Sequence, residues 1–136
     1  MSFAPRSDES AAILETLALA GERCPDPTSL VYRSLFDHHP DLESLFARDC
    51  DGSVRGEMLA KVFETIVDLV GDRTYGANMM RCEAVTHSGY GVAPTVFVEF
   101  YAVLWEIIRA LAGPDWTPRH QAAWALLVCE ATALVA

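Results

Sequence analysis

Apolar residues recur at helical spacing along almost the whole chain. The strongest stretch is 54–70, where Met58, Leu59, Val62, Phe63, Ile66, Val67 and Val70 form a broad stripe. A second long helix follows Pro94 or Thr95, with Phe97, Phe100, Tyr101, Leu104, Ile107, Ile108 and Leu111 as its apolar set. Gly113-Pro114 closes it. Thr117-Pro118 then opens a last helix carrying Trp124, Leu127, Val128, Ala131 and Leu134, with a cap and a proline at their preferred positions. Upstream, Ser7 caps a helix with Asp8 and Glu9 in its first turn and Ile13, Leu14 and Leu17 inward, and Gly21 ends it. Asp26-Pro27 starts the next helix, with Val31 and Leu35, and Tyr32 and Phe36, paired four apart. His38-His39-Pro40 breaks it. A short piece, 41–46, and a polar corner, 47–53, lead to the long stripe. Gly71-Asp72 stops that stripe, and Thr74 is the expected cap of the helix beyond. No segment alternates in the manner of a strand.

The predicted class is therefore all-α, with six or seven helices of unequal length. The loops are short and no repeat appears, so 1–136 reads as one domain with a disordered start at 1–6. Ten Lys and Arg stand against 19 Asp and Glu, a net charge of −9. Such a surface repels phosphate backbones and anionic lipid, so neither nucleic acid nor membrane is an expected partner. Cys24, Cys50, Cys82 and Cys129 are scattered without a C-x-x-C pair, which argues against a zinc site. Together with an N-terminus that is neither basic nor apolar enough for a leader, they point to a cytoplasmic protein.

One histidine stands apart. His87 falls in the last turn of a predicted helix, just before Gly89-Tyr90-Gly91 and an apolar run at 96–111. A ring nitrogen there can be held towards a metal, or can simply cap its own helix end. His38 and His39 sit at a helix end and His120 in a first helical turn, so all three read as solvated. Met79 and Met80 read as core. No Ser-His-Asp set, carboxylate pair or Gly-rich phosphate loop is present.

Four segments in order carry a resemblance: Val31-Tyr32-Arg33-Ser34-Leu35-Phe36, His39-Pro40-Asp41-Leu42-Glu43-Ser44-Leu45-Phe46, His87-Ser88-Gly89-Tyr90-Gly91-Val92, and Asp115-Trp116-Thr117-Pro118 with Ala122-Ala123-Trp124. The chain resembles the bacterial single-domain globins and the globin half of flavohaemoglobins over about residues 8–135. Tyr32 and Phe46 are fourteen positions apart, and Phe46 and His87 forty-one, close to the family's separations. The resemblance implies a globin-like fold of six to eight helices around a haem pocket. It implies His87 as the iron ligand, Phe46 against the haem face, Tyr32 as a donor to bound ligand, and Tyr90 and Val92 beside the cofactor.

Three departures qualify it. The residue guarding the ligand in these globins is usually His or Gln, and here the register gives either Arg55 or Val54, with Leu59, Phe63 and Val62 along the distal face. Glu83 stands one turn before His87, where an apolar residue is usual; its carboxylate either reaches the pocket edge and accepts the other ring N–H or is turned away to solvent. Phe97 replaces the proximal Tyr of flavohaemoglobins. The chain ends at Ala136 with no flavin or nicotinamide domain, so redox turnover calls for an external reductase. The implied function is reversible binding of a diatomic gas, O2 foremost and NO or CO otherwise, with NO detoxification given a reductase. The alternatives are a gas or redox sensor acting on a partner protein, and a haem-free binding module.

Overall fold

The computed structural model describes residues 7–136. The expected N-terminal tail at 1–6 and the side chain of Ser7 lie outside the described residues. Six α-helices follow one another: α1 (Ser7–Arg23), α2 (Thr28–His38), α3 (Ser53–Val70), α4 (Gly76–Gly89), α5 (Pro94–Ala112) and α6 (Pro118–Val135). Short 3-10 helices occupy Pro40–Phe46 and Gly113–Asp115, and no strand occurs among the described residues. The all-α expectation holds, and the Pro and Gly punctuation marks most of the ends.

Two boundaries differ from the sequence reading. α1 continues past Gly21 to Arg23. The Arg23 guanidinium donates to the carbonyls of Leu111 and Ala112 and pairs with Asp115, so its last turn is tied to the end of α5. That tertiary anchor outweighs the weak helix propensity of one glycine. At α2, Asp26 lies one residue outside the cap position and still accepts from the N–H and hydroxyl of Thr28.

α1, α5 and α6 pack on one another and hold the sealed part of the core. Its centre is Trp124, fully buried with Ile13, Leu104 and Ile108. The indole N–H would be costly there without a partner. It donates to Thr16 Oγ1 at 2.9 Å, and that hydroxyl donates to the Ile13 carbonyl at 2.7 Å.

His120 is not solvated, contrary to the sequence reading. It is 4% exposed, because the capping turn folds its ring back onto the Thr117 cap. Thr117 Oγ1 accepts from the His120 N–H, and His120 Nδ1 accepts from the Thr117 N–H. Its Nε2 therefore carries the ring proton and donates to Glu15 on α1. Arg119, and after it His120, hold the exposed Glu15 carboxyl below its ordinary range. His39 is likewise half-buried rather than free, paired with Glu99 of α5.

Thr16→Val should lower stability by about 1–3 kcal/mol, since it strands the Trp124 N–H without filling space. A fall in the urea midpoint at unchanged slope is the expected result.

A candidate ligand cavity between four helices

On the other side of α5 the helices do not close. α2 packs on α3 and α5, and α4 packs on α3, α5 and α6, leaving a cavity of about 500 Å³ between the walls. That is within the usual size of a small-molecule or cofactor site. α2 and the 3-10 helix after it contribute Tyr32, Leu35, Leu42, Leu45 and Phe46. α3 contributes Val54, Met58, Lys61, Val62 and Thr65. α4 contributes Met79, Met80, Glu83, Thr86 and His87, and the segment from Tyr90 to Tyr101 closes the remaining side with Val92, Val96, Phe97 and Phe100.

Two buried carboxylates set the corners. Asp49 accepts from the N–H groups of Val54 and Arg55, both at 3.0 Å, and so caps α3 from four residues upstream of its first turn. Burial pushes its carboxyl up, but those N–H groups and the Arg55 guanidinium prevail and hold it below its ordinary range. At the far end of α3, Asp68 accepts from the N–H groups of Thr74, Tyr75 and Gly76. Thr74 was the expected cap of α4; its hydroxyl instead donates to Asp68, which does the capping. Here too burial raises the carboxyl and the N–H groups overcome it, with a net lowering. A Cβ on Gly76 would lie 2.9 Å from Asp68 Oδ2 and 3.0 Å from the Thr65 carbonyl, so the start of α4 presses against α3 and admits no side chain.

His87 stands in the last turn of α4. Its Nδ1 lies 2.7 Å from the Glu83 carbonyl. A carbonyl only accepts, so Nδ1 carries the proton and Nε2 keeps its lone pair, with no protein partner among the described residues. The Glu83 carboxylate is 3.8 Å from the same nitrogen, beyond hydrogen-bond reach. The expectation that this carboxylate takes the ring N–H is thus corrected: the main chain of the same residue takes it. Glu83 does line the cavity, and its charge adds to burial in raising the Tyr101 phenol above its ordinary range. Phe97 packs on the His87 ring, with centroids 5.0 Å apart. Beyond His87 the chain turns at Gly91, whose φ of +85° suits glycine, while the N–H groups of Tyr90 and Val92 bond back to the His87 carbonyl. Tyr90 is exposed at the mouth and Val92 is buried.

Tyr32 lines the same cavity from α2, which shares no extended contact with α4. Its ring is wedged among Phe36, Phe46 and Phe100, with centroids 5.5–5.8 Å away, Phe46 meeting it edge-on. Its hydroxyl is buried and has no hydrogen-bond partner among the described residues. Burial holds the phenol protonated far above its ordinary range, so it remains a donor. A buried donor left unmatched costs about 1–3 kcal/mol, which is unusual unless something else is to be met there.

The register of α3 departs from the sequence reading. Arg55 lies outside the lining, its Nε and Nη2 bonded to Asp49 at 2.9 and 2.8 Å. Leu59 and Phe63 also lie outside it and pack in the core. The apolar stripe of α3 is divided: Leu59, Phe63 and Ile66 pack in the core, while Met58 and Val62 share the cavity face with Val54, Lys61 and Thr65. Val54 does line it, and Met58, between the two residues weighed for the gate and Val62, was missed.

The globin family model matches residues 29–134, which include every element of the cavity. The chain is a globin. Comparisons with curated proteins and with solved structures returned no match. Globins bind haem and, at its iron, diatomic gases. The residues of this globin suit that group: the walls are mainly apolar, and among the described residues His87 offers an unpartnered nitrogen and Arg48 and Lys61 are exposed lining cations with no ion pair to occupy them. Two such cations match the two carboxylates of a haem. No helix of the described residues is long and apolar enough to cross a membrane.

Replacing the corner carboxylate tests the geometry. Asp68→Asn should lower the urea midpoint at neutral pH. Because the folded carboxyl lies below its unfolded value, its stabilisation is present above the ordinary carboxylate range and is lost as pH falls through that range towards the folded value. The gap between wild type and Asp68→Asn should therefore narrow on acidification; a pH-independent gap would show that the charge is not what matters.

Proposed function

We propose that this globin carries one haem on His87 Nε2 and binds a diatomic gas reversibly on the opposite side, O2 foremost, with Tyr32 donating a hydrogen bond to it. The observation that carries this is an unpartnered Tyr32 hydroxyl in the same apolar cavity as a histidine whose tautomer is fixed by the Glu83 carbonyl. Haem, when bound, would supply an iron that can take up a diatomic gas. The chain supplies the rest. The His87 tautomer presents a lone pair, the aromatic cage holds the phenol in one place, and the apolar walls keep water from competing for it. Phe46, Val92, Tyr90 and Glu83, which line the same cavity, would be the residues to hold the macrocycle. The likeness of the segments around Tyr32, Phe46 and His87 to bacterial single-domain globins and flavohaemoglobins supports the same role. NO detoxification would require a source of electrons.

Titration of the purified protein with haemin should saturate at one equivalent with a sharp Soret band. In the loaded protein Tyr32→Phe removes one hydrogen bond, worth roughly 1–2 kcal/mol in a dry pocket, so O2 should dissociate about tenfold faster. Bound CO is less polar, and its dissociation should change little. Equal effects on both gases would mean that Tyr32 acts by packing alone.

A further inference from the structure

The chain has four methionines, and the three beyond Met1 all line the cavity. They are not equivalent. Met79 and Met80 stand on α4, the helix of His87; the Met79 sulfur accepts from the Thr65 hydroxyl at 3.3 Å and Met80 is fully buried. Met58 stands on α3 and makes no hydrogen bond among the described residues, so its thioether is free.

Its position along α3 matters. The cavity face runs from Val54 to Thr65, eleven steps along the helix, or about 16 Å at its usual rise. Thr65 lies at the α4 end, and Gly56 lies at the α2 end, where its Cβ would meet Thr28 Oγ1. Met58 and Val62, one turn apart, occupy the middle of that face. Val62 is branched and carries no donor or lone pair. Met58 is unbranched, with three rotatable bonds, so its sulfur can be carried over the centre of the cavity.

We infer that Met58 Sδ is a second, displaceable ligand of the iron, giving a six-coordinate His87–Met58 site that admits a gas only when the thioether swings away. This rests on the haem reading above and adds regulation to it. A thioether is a soft, neutral donor and favours ferrous over ferric iron. Ligand binding then becomes a competition: the apparent on-rate is scaled by the fraction of molecules with Met58 off the iron. Tyr32, whose hydroxyl meets no sulfur here, stays ready for the gas that replaces it.

The test uses the full chain loaded with haem, wild type and Met58→Leu, read by absorption and by magnetic circular dichroism in both oxidation states. Wild type should be low-spin and six-coordinate, with a ferric thioether charge-transfer band in the far red. Met58→Leu should lose that band and become five-coordinate when ferrous. Its reduction potential should fall, and CO should associate about tenfold faster if the thioether is bound some nine-tenths of the time. A wild-type ferrous spectrum that is five-coordinate and high-spin overturns the inference while leaving the haem reading intact, and needs no variant to fold. Identical spectra for the two proteins overturn it as well. Failure of the wild type to take up haem overturns both.

Discussion

The carboxylate of Asp68 decides where the histidine-bearing wall of the cavity stands. It takes three successive backbone N–H groups at the start of α4 and is itself fixed on α3, so the two helices meet at a set angle with only Gly76 between them. Asp49 does the equivalent at the other end of α3, holding the first N–H groups of the helix and the Arg55 side chain. α3 is thus pinned at both ends by buried acids. Between the pins its mixed face can border an open space without collapsing into it. An apolar cavity of this size gains nothing by staying open, so its persistence depends on walls that are fixed from outside it.

The molecule divides its apolar residues accordingly. Around Trp124, the helices α1, α5 and α6 close completely, and even the indole N–H is matched. Around Tyr32 the packing is just as aromatic, yet one hydroxyl is left over. In the first region the buried side-chain donor is matched; in the second one is not, in a cavity that also holds a histidine with a fixed tautomer. Unmet local demands of this kind gather where a protein binds something.

How much of this was legible in the sequence follows from the range of each interaction. Helix ends marked by Gly113-Pro114 or Thr117-Pro118 depend on neighbours and could be read. His87 and Tyr32 could be placed on their helices, and the segments around them resembled globins. The cap of α4 could not be read, because Asp68 lies six to eight residues upstream on another helix and Thr74 looked like the local candidate. His120 looked exposed in a first turn until its ring closed onto Thr117 and Glu15, a partner 105 positions away. On α3 the apolar stripe is broad enough to serve two surfaces, and spacing alone does not say where one ends: Val54, one of the two readings of the gate, and Val62 border the cavity together with Met58, Lys61 and Thr65, while Arg55, Leu59 and Phe63 lie outside it.

The central claim is that His87 Nε2 holds the iron. The most direct test removes the ring and returns it as a separate molecule. In His87→Gly, haem should bind weakly and without the wild-type spectrum, and added imidazole should restore that spectrum in a saturable manner by entering the vacated space. A His87→Gly protein that takes up haem with wild-type affinity and spectrum in the absence of imidazole would contradict the account.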